Sequence, residues 1–320
     1  MSVPPRITVL GSMNMDISVT VPRLPGPGAT VLGSAARFAP GGKGGNQAVA
    51  AARLGAQVRM AGCVGNDDFG GRLIGALQAE SVDTSAVRTV AEAASGLALI
   101  TVDPDGENII TVAPGANQSV AGSEVAAACA PPADVLVLSA EIPVAAITAA
   151  LALARARAGS TVSLLNLAPA PPGAASLLAE GVDWLVVNES EAAAVLGRPV
   201  RGLADARAAA ADLVSGRPPA CDVGHAVVTA GAEGAACAGP DGGGVVAGFP
   251  VRAVDSVGAG DTFVGALAVA LAVGAPARAA VRAACAAAAV ATTRPGTQEA
   301  MPRPADVLNL TGVSWPPPAR

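Results

Sequence analysis

Aromatic residues are scarce in this chain of 320 residues: tyrosine is absent, and there are four phenylalanines and two tryptophans. Any planar ligand must therefore be packed mainly by aliphatic side chains. The formal net charge is −5, and no run of Lys and Arg interrupts the sequence. Without positive charge and stacking rings a nucleic-acid surface is not expected. A single histidine, His225, leaves little material for a His-based metal site or triad, so a general base is expected to be a carboxylate. His225 itself is read as structural, at a strand entry. The five cysteines, Cys63, Cys129, Cys221, Cys237 and Cys285, are odd in number, widely spaced and without a Cys-x-x-Cys pair. Neither a disulfide framework nor a zinc site is indicated.

Long apolar runs are also missing. The longest, Thr262 to Thr293, is broken by Pro276, Arg278 and Arg282, so neither half reaches the roughly 20 residues that span a bilayer. Ile7-Thr8-Val9-Leu10 is too short for a signal-peptide core and runs into Gly11-Ser12. No membrane association is expected, and the cytoplasm is the expected location.

What is present is apolar material in short periodic pieces, 52% of the chain and mostly Ala and Val. That is enough to bury one large core. The segments Ile7–Leu10, Val58–Cys63, Val135–Ser139, Thr161–Leu165, Trp184–Val187 and Ala226–Thr229 read as buried strands. Between them Gly45–Leu54, Phe69–Ala79, Val144–Ala158 and Leu203–Ser215 read as helices. This alternation predicts an α/β fold, a mostly parallel central sheet with helices on both faces. Residues 17–38 and 97–112 break the pattern, the second around the turn Asp103-Pro104-Asp105-Gly106. They are read as a small antiparallel β lid within a single domain spanning 1–320. Further on, strands are expected near Gly234–Ala238 and Val245–Val251 and helices near Asp261–Val273 and Pro276–Thr292. The Trp315-Pro-Pro-Pro tail is expected to fray.

Polar residues recur just past the strand ends: Asn14 and Asp16, Asp67, Glu141, Asn166, Asn188 and Glu191, and Thr229. In a parallel sheet these ends share one edge, where ligands of open α/β sheets bind. Taken singly, each is also an ordinary turn or cap residue. The loop Gly41-Gly42-Lys43-Gly44-Gly45-Asn46-Gln47 lacks the Gly-Lys-Ser/Thr order of a P-loop, and suits recognition of hydroxyls better than of phosphates, unless it is only a tight turn. The segment Asp255-Ser256-Val257-Gly258-Ala259-Gly260-Asp261-Thr262 opens a helix, whose unpaired N–H groups make an anion site. There, donors from Gly258, Ala259 and Gly260 could stabilise a phosphoryl group in transfer while Asp261 takes a proton from the attacking hydroxyl. Asp261 as a mere N-cap, or Gly258-x-Gly260 as a misplaced dinucleotide fingerprint, are the other readings.

These motifs, with Gly11-Ser12-Met13-Asn14-Met15-Asp16, Asn188-Glu-Ser-Glu191 and Thr229-x-Gly231 in the same order, resemble the ribokinase-like carbohydrate kinases over nearly the full length. The resemblance implies that ATP phosphorylates O5 of D-ribose, with 2-deoxyribose, fructose or a nucleoside as other acceptors of the same chemistry and a non-catalytic sugar-binding regulator as the rival class. It implies that Asn14, Asp16, Gly42, Lys43, Asn46 and Glu141 hold the sugar, that Asp261 is the base, and that Gly258, Ala259 and Gly260 form the anion hole. It places Asn188, Thr229, Gly231, Gly234, Gly260 and Cys285 on the nucleotide side, and Asn188 and Glu191 near Mg2+ through waters. It also implies a K+ site at Asp255, Val257, Ala291, Arg294, Gly296 and Ala300, the last where a serine is usual, and a homodimer through the lid. Leu167, Cys285 and Gly45 depart from the usual family residues.

Overall fold

The computed structural model describes residues 3–130, 132–157, 159–216 and 221–319. In chain order the first half contains β1 (Arg6–Leu10), β2 (Asn14–Thr20), β3 (Arg37–Gly41), α1 (Lys43–Arg53), β4 (Gln57–Gly65), α2 (Asp68–Ala79), β5 (Asp83–Val90), β6 (Gly96–Val102), β7 (Asn108–Ala113) and α3 (Gly122–Cys129). Then come β8 (Val135–Ser139), α4 (Val144–Ala156), β9 (Val162–Asn166), α5 (Ala174–Leu178), β10 (Val182–Asn188), α6 (Glu189–Leu196), α7 (Gly202–Val214) and β11 (Val223–Thr229). The chain closes with β12 (Gly234–Ala238), β13 (Gly244–Ala247), α8 (Ala259–Ala272), α9 (Ala277–Ala291) and α10 (Pro304–Thr311).

Nine strands make the main sheet, in the order β13-β12-β11-β10-β9-β8-β1-β4-β5. All its pairings from β5 to β11 are parallel; β12 and β13 add an antiparallel edge. Each central strand is apolar on both faces, as a parallel sheet covered twice requires. Thus Val135 and Val137 face one core, with α1, α8 and α9, while Leu136 and Leu138 face the other, with α3, α4 and α7. Strand order reverses between β1 and β8, so a crevice opens beyond their carboxyl ends, where Ser12 and Glu141 meet.

The expected strands and helices form within a few residues of their expected limits. The expected last residue of α4, Ala158, lies outside the described residues. Four differences have physical causes. Strand β5, with its alternating exposed residues, and the short helices α3, α5, α6 and α10 lack the long apolar period that marks the others, and were not anticipated. Strand β13 ends at Ala247, before the expected Val251, because Gly248 and Pro250 leave the ladder. The small sheet expected as a lid has the order β3-β2-β6-β7; its two outer pairings are antiparallel, but β2 and β6 run parallel because both leave the same edge of the main sheet. The tail does not fray at Trp315, whose Nε1 donates to the Leu54 carbonyl at 2.8 Å while its ring packs on the core.

Candidate active site

The floor of the crevice is built at the switch point. The link from β1 to β2 brings the Ser12 hydroxyl to donate to Glu141 Oε2 at 2.5 Å, and Asn14 Nδ2 approaches the same oxygen at 3.5 Å. The Lys43 backbone N–H lies 3.4 Å from it. Asn117 braces this link: its Oδ1 accepts from Met13 N at 2.9 Å, and its Nδ2 donates to Asn14 Oδ1 at 2.7 Å. Gly42 is required where the loop enters α1. Its φ is +83°, and a Cβ there would lie 2.5 Å from Asn14 N. Asn14, Asp16, Gly42, Lys43, Asn46 and Glu141 are thereby gathered around one cleft, with Asn14 and Asp16 contributed by the first strand of the lid.

Asp261 stands in the first turn of α8, 8% exposed. Asn46 Nδ2 donates to its Oδ2 at 2.8 Å and Gln47 Nε2 to its Oδ1 at 3.1 Å, so both oxygens are aimed by amides from α1. The surrounding charge is largely negative. Burial, then Glu141, Asp261 and Glu299, raise Asp16 to about 7 against the pull of Lys43. Lys43 is in turn held above its ordinary range, chiefly by Asp261, with burial opposing. A lysine that stays charged here matches a site built to receive phosphate.

Two connected cavities lie beyond. A polar one of about 150 Å³ is bounded by Lys43, Asn188, Glu191, Gly258, Gly260 and Asp261. A second, of about 480 Å³, is mostly apolar, and shares Thr229 and Gly260 with the first. Gly231, Gly234 and Ala259 line it, and α9 supplies Cys285, Ala288 and Ala289 from one face, with Thr292 at its C-cap. The N-cap of α8 is Gly258 and no side chain caps the helix; the Ala259 N–H donates to the Ser256 carbonyl at 3.2 Å, which leaves the Gly260 N–H of the first turn for a ligand. A Cβ on Gly260 would meet no protein atom within 4 Å, so this position opens into the cavity. The size and apolar lining suit a nucleoside and the helix start suits its phosphates.

A family model described as pfkB family carbohydrate kinase matches residues 4–304. The chain belongs to that family. This kinase is 35% identical to the ribokinase of Haemophilus influenzae over 308 residues, 95% of this chain and 97% of the relative. It is 34% identical to the deoxyribokinase of Salmonella typhi over 264 residues, 82% and 84% of the two chains. Among solved structures, that of Arabidopsis thaliana ribokinase complexed with ribose and ATP superposes with a TM-score of 0.84 at 29% identity, covering 98% of this chain and 100% of that one. This is a phosphotransferase acting on a sugar hydroxyl.

Not every expected site residue faces the cavities of the kinase. Asp67 is fully engaged in the fold: its carboxylate accepts from Gly70 N and from both the N–H and the hydroxyl of Ser95, at 2.6–2.8 Å. Asn188 and Glu191 line the polar cavity, but also form a reciprocal cap of α6, Asn188 N donating to Glu191 Oε2 at 2.8 Å and Glu191 N to Asn188 Oδ1 at 2.9 Å. Burial raises Glu191, against its bond from Asn188 N and the pull of Lys43. These bonds occupy Asn188 Oδ1 and one of the two oxygens of Glu191, Oε2. At the expected cation site, Asp255 accepts from Val257 N and from Gly296 N, each at 3.0 Å. The Ala291 carbonyl accepts from Arg294 N at 3.3 Å, and the Arg294 side chain turns away to Asp306 at 2.8 Å. Ala300 is buried in the following loop. Among the described residues no three His, Cys, Asp or Glu side chains converge to hold a metal.

His225 stacks on Trp184 at 4.2 Å, away from the site. Sequence reasoning gave no role to Gln47, Asn117 or Gln298. Gln47 sits inside a recognised loop; the other two carry no local pattern, since only folding brings Asn117 to Asn14 across 103 positions and Gln298 to Asn46 across 252.

Proposed function

We propose that this kinase transfers the γ-phosphoryl group of ATP to O5 of D-ribose. The observation that carries the reading is the adjacency of Asp261, held at both oxygens by amides, to the open start of α8 at the junction of the polar and apolar cavities. Asp261 takes the proton of the acceptor hydroxyl as that oxygen bonds to the γ-phosphorus. The bond to the bridging oxygen breaks, and ADP leaves. The Gly260 N–H, with the Gly258 turn, faces the charge spread over the phosphoryl oxygens, and the Ala259 N–H joins it when its bond to the Ser256 carbonyl is released. Asn14, Asp16, Gly42, Lys43, Asn46 and Glu141 orient the sugar. Thr229, Gly231, Gly234 and Cys285 border the nucleoside, with Asn188 at the phosphate end.

Magnesium, when bound, offsets charge on the phosphates; Asn188 and Glu191 hold its waters. A monovalent cation, K+, is assigned to Asp255, Val257, Ala291, Arg294, Gly296 and Ala300, with the Asp255 carboxylate and backbone carbonyls as the hard oxygen donors. The whole chain acts as one domain with a β lid. Phe38, Leu99, Ile109, Ile110 and Val112, exposed on the lid, support a homodimer closed through that sheet. No described helix is long and apolar enough to cross a membrane, which agrees with the proposed cytoplasmic location. The deoxyribokinase relative favours 2-deoxyribose as the second reading.

Purified protein, assayed with ATP and Mg2+ on ribose, 2-deoxyribose, fructose and adenosine, with and without K+, tests the assignment. Ribose is expected to be turned over fastest, and Asp261→Asn to lose activity by about 10²- to 10⁴-fold. Faster turnover of 2-deoxyribose selects the second reading. Binding of ribose with no turnover of any acceptor refutes catalysis.

A further inference from the structure

Asn46 is an amide whose two ends are chemically distinct, and its orientation matters to the base. The end facing Asp261 must be the NH2 group, since an ionised carboxylate only accepts. Its oxygen therefore faces the other way, and there Gln298 Nε2 donates to Asn46 Oδ1 at 3.1 Å. Gln298 is 8% exposed and 252 positions away in sequence. A donor at that point fixes the Asn46 amide in the one orientation that serves Asp261.

The loop that carries Gln298 is itself held. Arg53, at the end of α1, donates through Nη1 to the carbonyls of Gln298 at 2.5 Å and Met301 at 3.0 Å, while its Nη2 meets Glu80 at 2.6 Å. One residue before Gln298, Thr297 lies against the turn at Gly258, where a Cβ would fall 2.7 Å from Thr297 Cγ2. One short loop thus touches both halves of the transfer machinery, the anion-binding turn and the amide behind the base.

We propose that Gln298 is a positioning residue for phosphoryl transfer, acting through Asn46 to aim Asp261 at the acceptor hydroxyl. The inference rests on the reading of Asp261 as the base. Gln298 lines neither the polar nor the apolar cavity, so its loss acts on kcat more than on nucleotide binding. Misplacing a reacting group by a fraction of an ångström lowers rates steeply, and on the order of tenfold is expected for removal of this donor.

A double-mutant cycle on the full chain tests this. Gln298→Met keeps the volume and removes the donor; Asn46→Ala removes the group through which it acts. Expected are a roughly tenfold lower kcat for Gln298→Met, an unchanged ADP Kd by calorimetry, and no further loss of kcat when Gln298→Met is added to Asn46→Ala. Equal losses in both backgrounds, or a kcat for Gln298→Met equal to that of the parent, overturn the proposal. If Gln298→Met does not fold, Gln298→Glu keeps the shape while turning an acceptor toward Asn46 Oδ1, and the same cycle is read from it. Turnover by the parent protein is measured alongside: its absence removes the reading of Asp261, whereas an active parent with an additive cycle removes only the role of Gln298.

Discussion

Asp16 is the residue whose function should cost the resting protein most. Its carboxyl is raised from the ordinary 3.8 to about 7, by burial first and then by Glu141, Asp261 and Glu299. Because the folded form binds its proton more tightly than the unfolded chain does, the contribution to stability is complete below pH 3.8. It is lost progressively as pH rises, and is gone above about 7. A difference of about three pH units corresponds to about 4 kcal/mol at 1.36 kcal/mol per unit. Asp16 is only partly buried, and screening by solvent brings the expected figure to roughly 2 kcal/mol. Asparagine fills the same space and never ionises. For a chain of this length, with about 2 cal/mol/K of unfolding entropy per residue, that is a rise of about 3 °C in Tm. Melts of the sugar-free parent and Asp16→Asn, followed by circular dichroism between pH 4.5 and 8.5, should show a Tm gap below about 1 °C at the acid end, widening to pH 7 and level above it. Calorimetry should show ribose binding lost in the same variant. A gap independent of pH, or a variant less stable than the parent at pH 8, would refute the electrostatic argument.

Three further outcomes follow from particular contacts. Gly260→Ala should fold as well as the parent or slightly better, since alanine favours a helix by up to about 1 kcal/mol and a Cβ there meets no protein atom. Its kcat should nonetheless fall by about 10²-fold as the methyl group enters the phosphate space, read by melting and steady-state assay together. Ala288→Leu should fill the apolar cavity and raise the ATP KM by about tenfold or more, while calorimetry finds ribose affinity unchanged. Trp315→Phe should remove the bond to the Leu54 carbonyl, lowering stability in urea by about 1 kcal/mol and leaving kcat alone.

How far the sequence could be read depended on whether the signal was local. The parallel strands stood out because each is a short β-branched run buried on both faces, as Val135–Ser139 is, whereas β5 alternates between exposed and half-buried residues and has no such run. The loop at 41–47 and the start of α8 were legible because Gly42 and Gly260 answer local demands of backbone conformation and open space. Asp67 was misleading for the same reason. A carboxylate after a strand looks alike in sequence whether it lines a cleft or caps a helix, and only its bonds to Gly70 and Ser95 separate the two. Asn117, Gln298 and Arg53 were invisible because their partners are set by tertiary packing. Likewise, the parallel contact between β2 and β6 depends on where both strands leave the main sheet, which no pattern inside either strand records.

Asn14 and Asp16 belong to β2, so two of the proposed sugar contacts are part of the small sheet, the proposed lid, and not of the main sheet. A tool whose jaw carries its own gauge cannot be regauged without altering the grip. If the small sheet closes as proposed, variation at these two positions that widens the choice of acceptor also changes how often it shuts without one, and ATP hydrolysed by water is expected to rise alongside the new activity. Selection for a new sugar in this scaffold is therefore expected to spare β2 and to work first on Glu141 and the loop at Gly42–Asn46, which belong to the fixed half.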